Sequence, residues 1–248
     1  MDVQLFVTCL TDQLAPQVGE ATVRILERLG HRVHFPDAQT CCGQPAFNDG
    51  FPAEGAELAA RTVEIFADPS PIVVPSGSCA TMLRHFYPRL LAAGPHAEKA
   101  RALAARTFEL SAFLVDVLHV IDLGARWQGR VTYHDSCHLL RELGIRDEPR
   151  RLLGAVAGLE LVEMEHPDHC CGFGGAFAVK FPEVSAAILT PKLDGIVATN
   201  ADAVVTNDTG CLLQMAGGLA RRRVAIRTLH LAEILVSGGR DGADLSVR

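Results

Sequence analysis

Eight cysteines, arranged as two matching sets of four, constrain this chain more than any other feature. The first cysteine set is Cys9, Cys41, Cys42 and Cys79, and the second cysteine set is Cys137, Cys170, Cys171 and Cys211. Corresponding members are 128, 129, 129 and 132 residues apart, and a glycine follows the adjacent pair in each set. A repeat of four thiols at nearly fixed spacing indicates that the chain builds the same thiolate-lined site twice.

The segments between the cysteines alternate between short apolar strands and amphipathic helices. Strands are predicted at 4–8, 32–35 and 71–74 in the first half, and at 130–133, 159–162, 203–205 and 224–226 in the second. Helices are predicted at 18–29, 53–67, 80–86 and 231–236, among others. This alternation predicts an α/β protein with two duplicated lobes, 1–125 and 126–248, each a small, mostly parallel sheet flanked by helices.

The cysteines follow the predicted strands. In open parallel sheets the carboxyl ends of the strands form the edge at which ligands bind, and helices begin near that edge. Loops that are distant in sequence can therefore converge on one site, with helix N-termini directed at the thiolates. We expect one such site at the strand ends of each lobe.

Composition and charge exclude several classes of function. Of the 248 residues, 48% are hydrophobic and 21% are charged, which is typical of a folded domain rather than a disordered one. The net charge of −6 argues against a nucleic-acid partner. The N-terminal residues lack a basic region, and no apolar stretch approaches the roughly 20 residues of a membrane helix. We expect a cytoplasmic protein, where patterned cysteines favour metal or redox chemistry over disulfides.

Four thiolates suit either a zinc ion or an iron–sulfur cluster. Structural zinc sites use short C-x₂₋₄-C pairs, which this chain lacks. The adjacent cysteines of each set suit a cluster better, because neighbouring thiolates can bind different irons. Gly43 and Gly172 remove a Cβ where the backbone must turn tightly. Two interpretations remain: an iron–sulfur cluster bound by the four cysteines of each set, or zinc that holds the loops together.

Histidines are concentrated around the second cysteine set, which is flanked by His134, His138, His166 and His169, whereas His34 alone lies near the first. They are either loop residues that satisfy backbone groups or parts of a more reactive second site. An imidazole can hydrogen-bond to cluster sulfur or relay protons near neutral pH. We therefore take His134, His138 and His169 as candidate catalytic residues. Nearby charge is expected from Arg141, Glu142 and Lys180.

Several motifs resemble the cysteine-rich CCG domain family. Each half has a single cysteine about thirty residues before Cys-Cys-Gly and another cysteine thirty-odd residues after it. The stretches YHDSCH at 133–138, RELG at 141–144, CCGFGG at 170–175 and NDTGCL at 207–212 add to the resemblance. The family includes heterodisulfide reductase B subunits, the iron–sulfur subunits of glycolate and glycerol-3-phosphate dehydrogenases, and proteins of lactate utilization. The last group is the most similar, and the resemblance covers nearly the whole chain.

One departure from the family pattern concerns its final C-x-x-C. Ser76 and Asp208 replace the first cysteine of that pair in the two halves. Five-cysteine units of heterodisulfide reductases hold non-cubane clusters, whereas the four cysteines in each set here suffice for one [4Fe–4S] cluster per lobe. The resemblance leaves open whether Ser76 or Asp208 supplies an oxygen ligand.

The resemblance implies the iron–sulfur subunit of a multi-subunit oxidoreductase that oxidises L-lactate to pyruvate by electron transfer through its clusters. No nicotinamide, flavin or ferredoxin fingerprint occurs in the sequence. The implied partners are therefore a ferredoxin-motif iron–sulfur subunit and a further subunit of the same complex. Two alternatives remain: a non-redox, zinc-stabilised scaffold or interaction subunit, and a subunit of a heterodisulfide or thiol reductase. The missing C-x-x-C cysteines count against the latter.

Overall fold

The computed structural model describes residues 1–238 and contains two four-stranded, all-parallel sheets. The first sheet has the order β2-β1-β3-β4, and its strands are β1 (Asp2–Leu5), β2 (Arg32–His34), β3 (Ile72–Val74) and β4 (Thr107–Glu109). The second has the order β6-β5-β7-β8, and its strands are β5 (Arg126–Tyr133), β6 (Ala157–Leu161), β7 (Ala203–Thr206) and β8 (Arg227–His230). The same strand permutation occurs twice, so the duplication seen in the cysteines extends to the topology.

Helices flank both sheets. The first lobe contains α1 (Cys9–Leu14), α2 (Pro16–Arg28), α3 (Gln44–Asn48), α4 (Pro52–Ile65), α5 (Gly77–Thr81), α6 (Tyr87–Leu90), α7 (Ala97–Ala105) and α8 (Leu110–Ala112), with π-helical turns at Met82–Phe86 and Phe113–Val117. The second contains α9 (Cys137–Arg141), α10 (Asp147–Gly154), α11 (Ala176–Lys180), α12 (Pro182–Ala198), α13 (Thr209–Arg221) and α14 (Leu231–Val236). The predicted α/β class is confirmed. Within residues 1–238, no helix combines the length and apolarity needed to cross a membrane.

The sequence-based element assignments differ from the structure in several places. Strand β1 was predicted at 4–8 but spans Asp2–Leu5, and β5 and β6 begin earlier than expected. Strand β4 was not predicted, because Thr107–Glu109 lacks the run of apolar residues that marks β3. The last strand begins at Arg227, since this residue pairs with Ala203, and not at 224 as expected. The helix predicted at 80–86 is α5 continued by a π-helical turn and α6, so it begins earlier and ends later than expected.

A single hydrophobic core joins the two lobes. Val3 and Val73 of the first sheet belong to the same buried cluster as Val131 and Val205 of the second. Helix α2 lies against α14 in this shared core. Each lobe also has a separate apolar cluster on the other face of its sheet. The mutual orientation of the two sheets, and hence of the loops at their carboxyl edges, is therefore set by buried packing.

Candidate metal centres

Two cysteines of each set lie in the first turn of a helix. Cys9 and Cys137 are the first residues of α1 and α9, and Cys79 and Cys211 are the third residues of α5 and α13. The N-terminal end of a helix carries partial positive charge and unpaired N–H groups. These positions therefore favour thiolates, as the strand–helix alternation predicted.

The Cys-Cys-Gly turns depend on their glycines. Gly43 and Gly172 have φ angles of +84° and +82°, which side chains adopt at a cost. A Cβ on Gly172 would lie 2.5 Å from the Ser185 carbonyl oxygen, whereas one on Gly43 would lie 3.2 Å from Leu58 Cβ. The glycine N–H groups lie 3.5 Å and 3.3 Å from the first sulfur of their respective pairs. The turns therefore point backbone donors at sulfur, and the second turn leaves no room for a side chain.

The sulfur atoms of each set converge. In the first set, Cys9 Sγ lies 3.5 Å from Cys41 Sγ, and Cys42 Sγ lies 3.3 Å from Cys79 Sγ. In the second set, Cys171 Sγ lies 3.2 Å from Cys211 Sγ. The thiols of Cys137 and Cys170 are also in contact. All eight thiols, which lie within the described residues, are unbridged.

Hydrogen bonding in each set favours a thiolate at the first cysteine of the adjacent pair and opposes one at the second. Hydrogen bonding from Cys42 lowers the pKa of Cys41 to about 3, and hydrogen bonding from Cys137 lowers that of Cys170 to about 2. Hydrogen bonding to these sulfurs raises the pKa of Cys42 and Cys171 above the usual value, and burial adds to the effect. Four adjacent thiols cannot all lose their protons without a compensating positive charge. A bound cation or cationic cluster would supply that charge.

Both cysteine sets line one cavity of about 490 Å³ between the lobes. Its wall includes all eight cysteines and also Gln44, Asn48, Phe173 and Val179. The sequence led us to expect a separate site at the strand ends of each lobe. The two sets do lie on different lobes, but they open onto a common space because the shared core turns both carboxyl edges inward.

Ser76 and Asp208, which replace the family's additional cysteines, contact each other across the lobes. Ser76 Oγ donates to Asp208 Oδ2 over 3.1 Å, and the Ser78 N–H donates to the same oxygen over 3.0 Å. Ser76 also accepts from the Cys79 N–H, and Asp208 from the Gly210 N–H. Both side chains therefore cap cysteine-bearing helices and link the lobes, so their oxygen atoms already have partners other than a metal.

The flanking histidines occupy three different environments. His134 is fully buried, and its ring nitrogen lies within 4.8 Å of the sulfurs of Cys171 and Cys211. His138 is half-buried on the cavity wall. His166 and His169 are exposed and stack on each other with ring centroids 4.3 Å apart, and His34 is exposed as well. Of the three candidate catalytic histidines, the fold brings His134 and His138 to the cysteines and leaves His169 at the surface.

Burial determines the charge of His134. It lowers the pKa of His134 to about 3, and the positive charge of Lys192 acts in the same direction. The imidazole is therefore neutral near pH 7, and a neutral ring has one nitrogen with a free lone pair and one N–H. This form can bind a metal ion.

A buried lysine near the second cysteine set has no signal in the sequence. Lys192 is 2% exposed, and its Nζ donates to the carbonyl oxygens of His166 (2.8 Å) and Pro167 (3.1 Å). Burial lowers its pKa, and nearby thiolates such as Cys171 oppose that shift. Only the tertiary packing of α12 places this residue beside the cysteines.

The other expected charges are peripheral. Lys180 forms an exposed ion pair with Asp49 of the first lobe over 2.9 Å. Arg141 donates to the Asp168 carbonyl oxygen over 3.2 Å, and Glu142 is exposed. These three groups are close to the cysteines in sequence, but each is less deeply buried than Lys192.

The chain is thus a duplicated α/β protein that gathers two four-thiol sets around one cavity, and comparison with known proteins specifies its class. Residues 3–84 and 131–216 each match the model of the cysteine-rich domain CCG. The chain belongs to the CCG cysteine-rich domain family, and the matching segments coincide with the two halves of the duplication.

Individual relatives agree with this assignment. Lactate utilization protein A of Geobacillus kaustophilus (strain HTA426) is 50% identical over 236 residues, which cover 95% of this chain and 98% of that protein. The protein of the same name from Bacillus subtilis (strain 168) is 44% identical over 96% of this chain and 100% of its own length. A hypothetical protein from Helicobacter pylori superposes with a TM-score of 0.66 at 10% identity, over 95% of this chain but 48% of its own. That structural likeness shows the fold.

Proposed function

We propose that this chain is the iron–sulfur subunit of a multi-subunit oxidoreductase that oxidises L-lactate to pyruvate, with one [4Fe–4S] cluster in each lobe. The observation that carries the proposal is the convergence of two complete four-thiol sets on one cavity. Two sets facing a common space suit the passage of electrons through the protein. We also propose that the chain acts in the cytoplasm, where the thiols stay reduced.

The residues present fit such a cluster. Four thiols are available per lobe, glycine N–H groups point at one sulfur of each set, and helices begin at the sites. Iron–sulfur clusters, when bound, store and transfer single electrons. The chain's own contribution is to supply the thiolates and to donate hydrogen bonds to sulfur, which tunes the reduction potential.

The relatives support the choice of lactate. The proteins of 44–50% identity described above are named for lactate utilization and have nearly the same extent as this chain. The sequence lacks a motif for a hydride acceptor, so we propose that the chain works with partner subunits. One of these would carry a ferredoxin-type cluster motif.

Metal analysis of the anaerobically purified chain tests the cofactor. We expect iron and acid-labile sulfide, and we expect Cys42→Ser and Cys171→Ser each to lose about half of the iron, since each set binds its own cluster. If either substitution alone removed the iron from both lobes, the two clusters would not be independent. Zinc as the metal bound in cells would contradict the iron–sulfur assignment.

Turnover assays test the role as a subunit. The lone chain with both clusters loaded is expected to show no lactate oxidation with artificial electron acceptors. Expressed in its native source, it is expected to co-purify with a ferredoxin-motif protein, and the complex is expected to oxidise lactate. Rapid turnover by the lone chain would contradict the partner requirement.

A zinc-stabilised scaffold is a second candidate, which the short sulfur–sulfur distances favour. Thiolates bound to one zinc ion at about 2.3 Å lie about 3.8 Å apart, close to the observed contacts of 3.2–3.5 Å. The purified scaffold would be colourless and would contain about one zinc ion per set. Absorbance near 400 nm, with iron and sulfide, would reject this candidate.

A further inference from the structure

His134 is a buried polar side chain without the partners that burial requires. It follows β5 and is 0% exposed. Among the residues that the structure describes, neither ring nitrogen has a hydrogen-bond partner. An unsatisfied buried polar group destabilises the folded state, and most such groups in folded proteins are paired. A ligand bound to a ring nitrogen of His134 would satisfy this buried group.

The atoms around the ring are those of a metal site. The ligand atoms of His134, Cys171 and Cys211 all lie within 4.8 Å of one another, and all three residues are buried. The Pro167 carbonyl oxygen lies near the ring, where it favours a protonated nitrogen, but it is not in hydrogen-bond geometry with either ring nitrogen. Metal-binding histidines commonly donate the remaining N–H to a backbone carbonyl, which fixes the orientation of the ring.

The first lobe has no imidazole at the matching position. Three residues before the first cysteine of each set, the first lobe has Phe6 and the second has His134. Phe6 is fully buried and packs on Phe66 with ring centroids 5.4 Å apart. An apolar ring therefore satisfies the packing of this fold, and the duplicated topology does not by itself require a histidine here.

We propose that His134 is a nitrogen ligand of the metal centre held by the second cysteine set, where it binds beside Cys171 and Cys211 in place of one of the other two thiolates. This rests on the proposed function to the extent that a metal is bound there. The first centre would then be held by sulfur alone, and the second by sulfur and nitrogen. A neutral imidazole adds no negative charge, unlike a thiolate, and such ligation raises the reduction potential of iron–sulfur centres.

Nitrogen-sensitive spectroscopy of the full chain tests this ligand. The protein is purified anaerobically with ring-¹⁵N histidine and, in parallel, unlabelled. Pulsed EPR of the reduced protein is expected to show a coupling to a histidine nitrogen that changes with the label and is lost in His134→Phe. Phenylalanine is the residue of the first lobe, so this variant is expected to fold. The exposed His169 provides the matched control, and His169→Phe is expected to retain the coupling.

Two results would overturn the proposal: a loaded second centre without histidine coupling, or a coupling that survives His134→Phe. The labelled wild-type spectrum decides the first point even when the variant fails to fold.

Metal analysis separates this proposal from the proposed function. If the protein binds zinc in place of iron, the proposed function is contradicted but the His134 ligand is not. X-ray absorption of the Cys42→Ser variant, in which only the second site still binds metal, then tests whether His134 is a ligand. A nitrogen shell at about 2.0–2.1 Å that disappears on adding His134→Phe supports the ligand. Absence of this shell overturns it, and a chain that binds no metal contradicts both proposals.

Discussion

The two lobes share a topology and a four-thiol set but differ in what surrounds the sulfur atoms. The first lobe has Phe6 and Thr62 where the second has His134 and Lys192. Thr62 and Lys192 are 130 residues apart. Gly55 and Ser185, which contact the Cys-Cys-Gly turns of their respective lobes, are separated by the same interval, so Thr62 and Lys192 occupy corresponding positions. The two lobes thus share the thiols and the sheet, whereas only the second has a buried imidazole and a buried ammonium group at these positions. The comparison teaches that equal ligand sets need not make equal sites.

The largest expected difference between the lobes lies in the Cys-Cys-Gly turns. Gly172→Ala is expected to lower the free energy of unfolding by about 3–5 kcal/mol, because the positive φ is combined with a clash against a backbone oxygen. Gly43→Ala is expected to lower it by about 1–2 kcal/mol, chiefly through φ. Urea unfolding of the two variants measures both. Equal losses would show that the tighter packing of the second turn has no energetic effect.

The next difference concerns two buried residues at matching strand ends, Glu109 at the end of β4 and His230 at the end of β8. Burial raises the pKa of Glu109 to about 7 and lowers that of His230 to about 4. Between about pH 4.5 and 7 the folded state binds more protons at Glu109 than the unfolded state, so this group makes stability fall as pH rises. Between about pH 4 and 6.5 the unfolded state binds more protons at His230, so this group makes stability rise.

Substitutions at these two sites can separate the opposing slopes. The difference in unfolding free energy between Glu109→Gln and wild type is expected to change by about 2–3 kcal/mol in favour of the variant as the pH rises from 4.5 to 7. Any pH-independent effect of the substitution adds a constant to this difference. His230→Asn is expected to show a relative change of opposite sign between pH 4 and 6.5. Urea unfolding across this pH range measures the slopes. Parallel pH profiles for wild type and Glu109→Gln would show that Glu109 does not titrate in this window.

The buried lysine gives a smaller, electrochemical difference. Lys192→Met removes a positive charge near the second cysteine set and is expected to lower the reduction potential of the second centre. A charge interaction on the order of 1–2 kcal/mol corresponds to about 40–90 mV for one electron. The matched control, Thr62→Val in the first lobe, changes no charge and is expected to shift the first centre far less. EPR-monitored redox titration compares the two variants. Equal shifts of the two reduction potentials would show that the charge of Lys192 does not act on the second centre.

The smallest effect is expected at the ion pair between the lobes. Lys180 and Asp49 are both solvent-accessible, with 52% and 22% of their side chains exposed. Lys180→Ala is expected to change the unfolding free energy by less than about 0.5 kcal/mol, since exposed ion pairs contribute little. Thermal unfolding at low and high salt measures it. A loss of several kcal/mol would mean that this pair, rather than the shared core, joins the lobes.

The sequence predicted the fold class because its signals are local and occur twice. Strands next to cysteines, helices after them and glycines at tight turns all depend on neighbouring residues. The same locality explains the misses. Strand β4 is short and lacks a pattern, and the sequence position of Glu109 does not reveal that Asn207 Nδ2 of the other lobe donates to its carboxylate over 2.9 Å.

The sequence by itself determined that this chain builds two four-thiol sites on a duplicated α/β frame. Each set is encoded by thiols at characteristic intervals, and Gly43 and Gly172 mark its turns. Only the tertiary structure decided that both sets face one cavity, that Ser76 meets Asp208, and that His134 and Lys192 lie buried beside the second set. These contacts join residues that are distant in sequence. Their geometry comes from how the shared core packs α2 on α14, which no local pattern encodes.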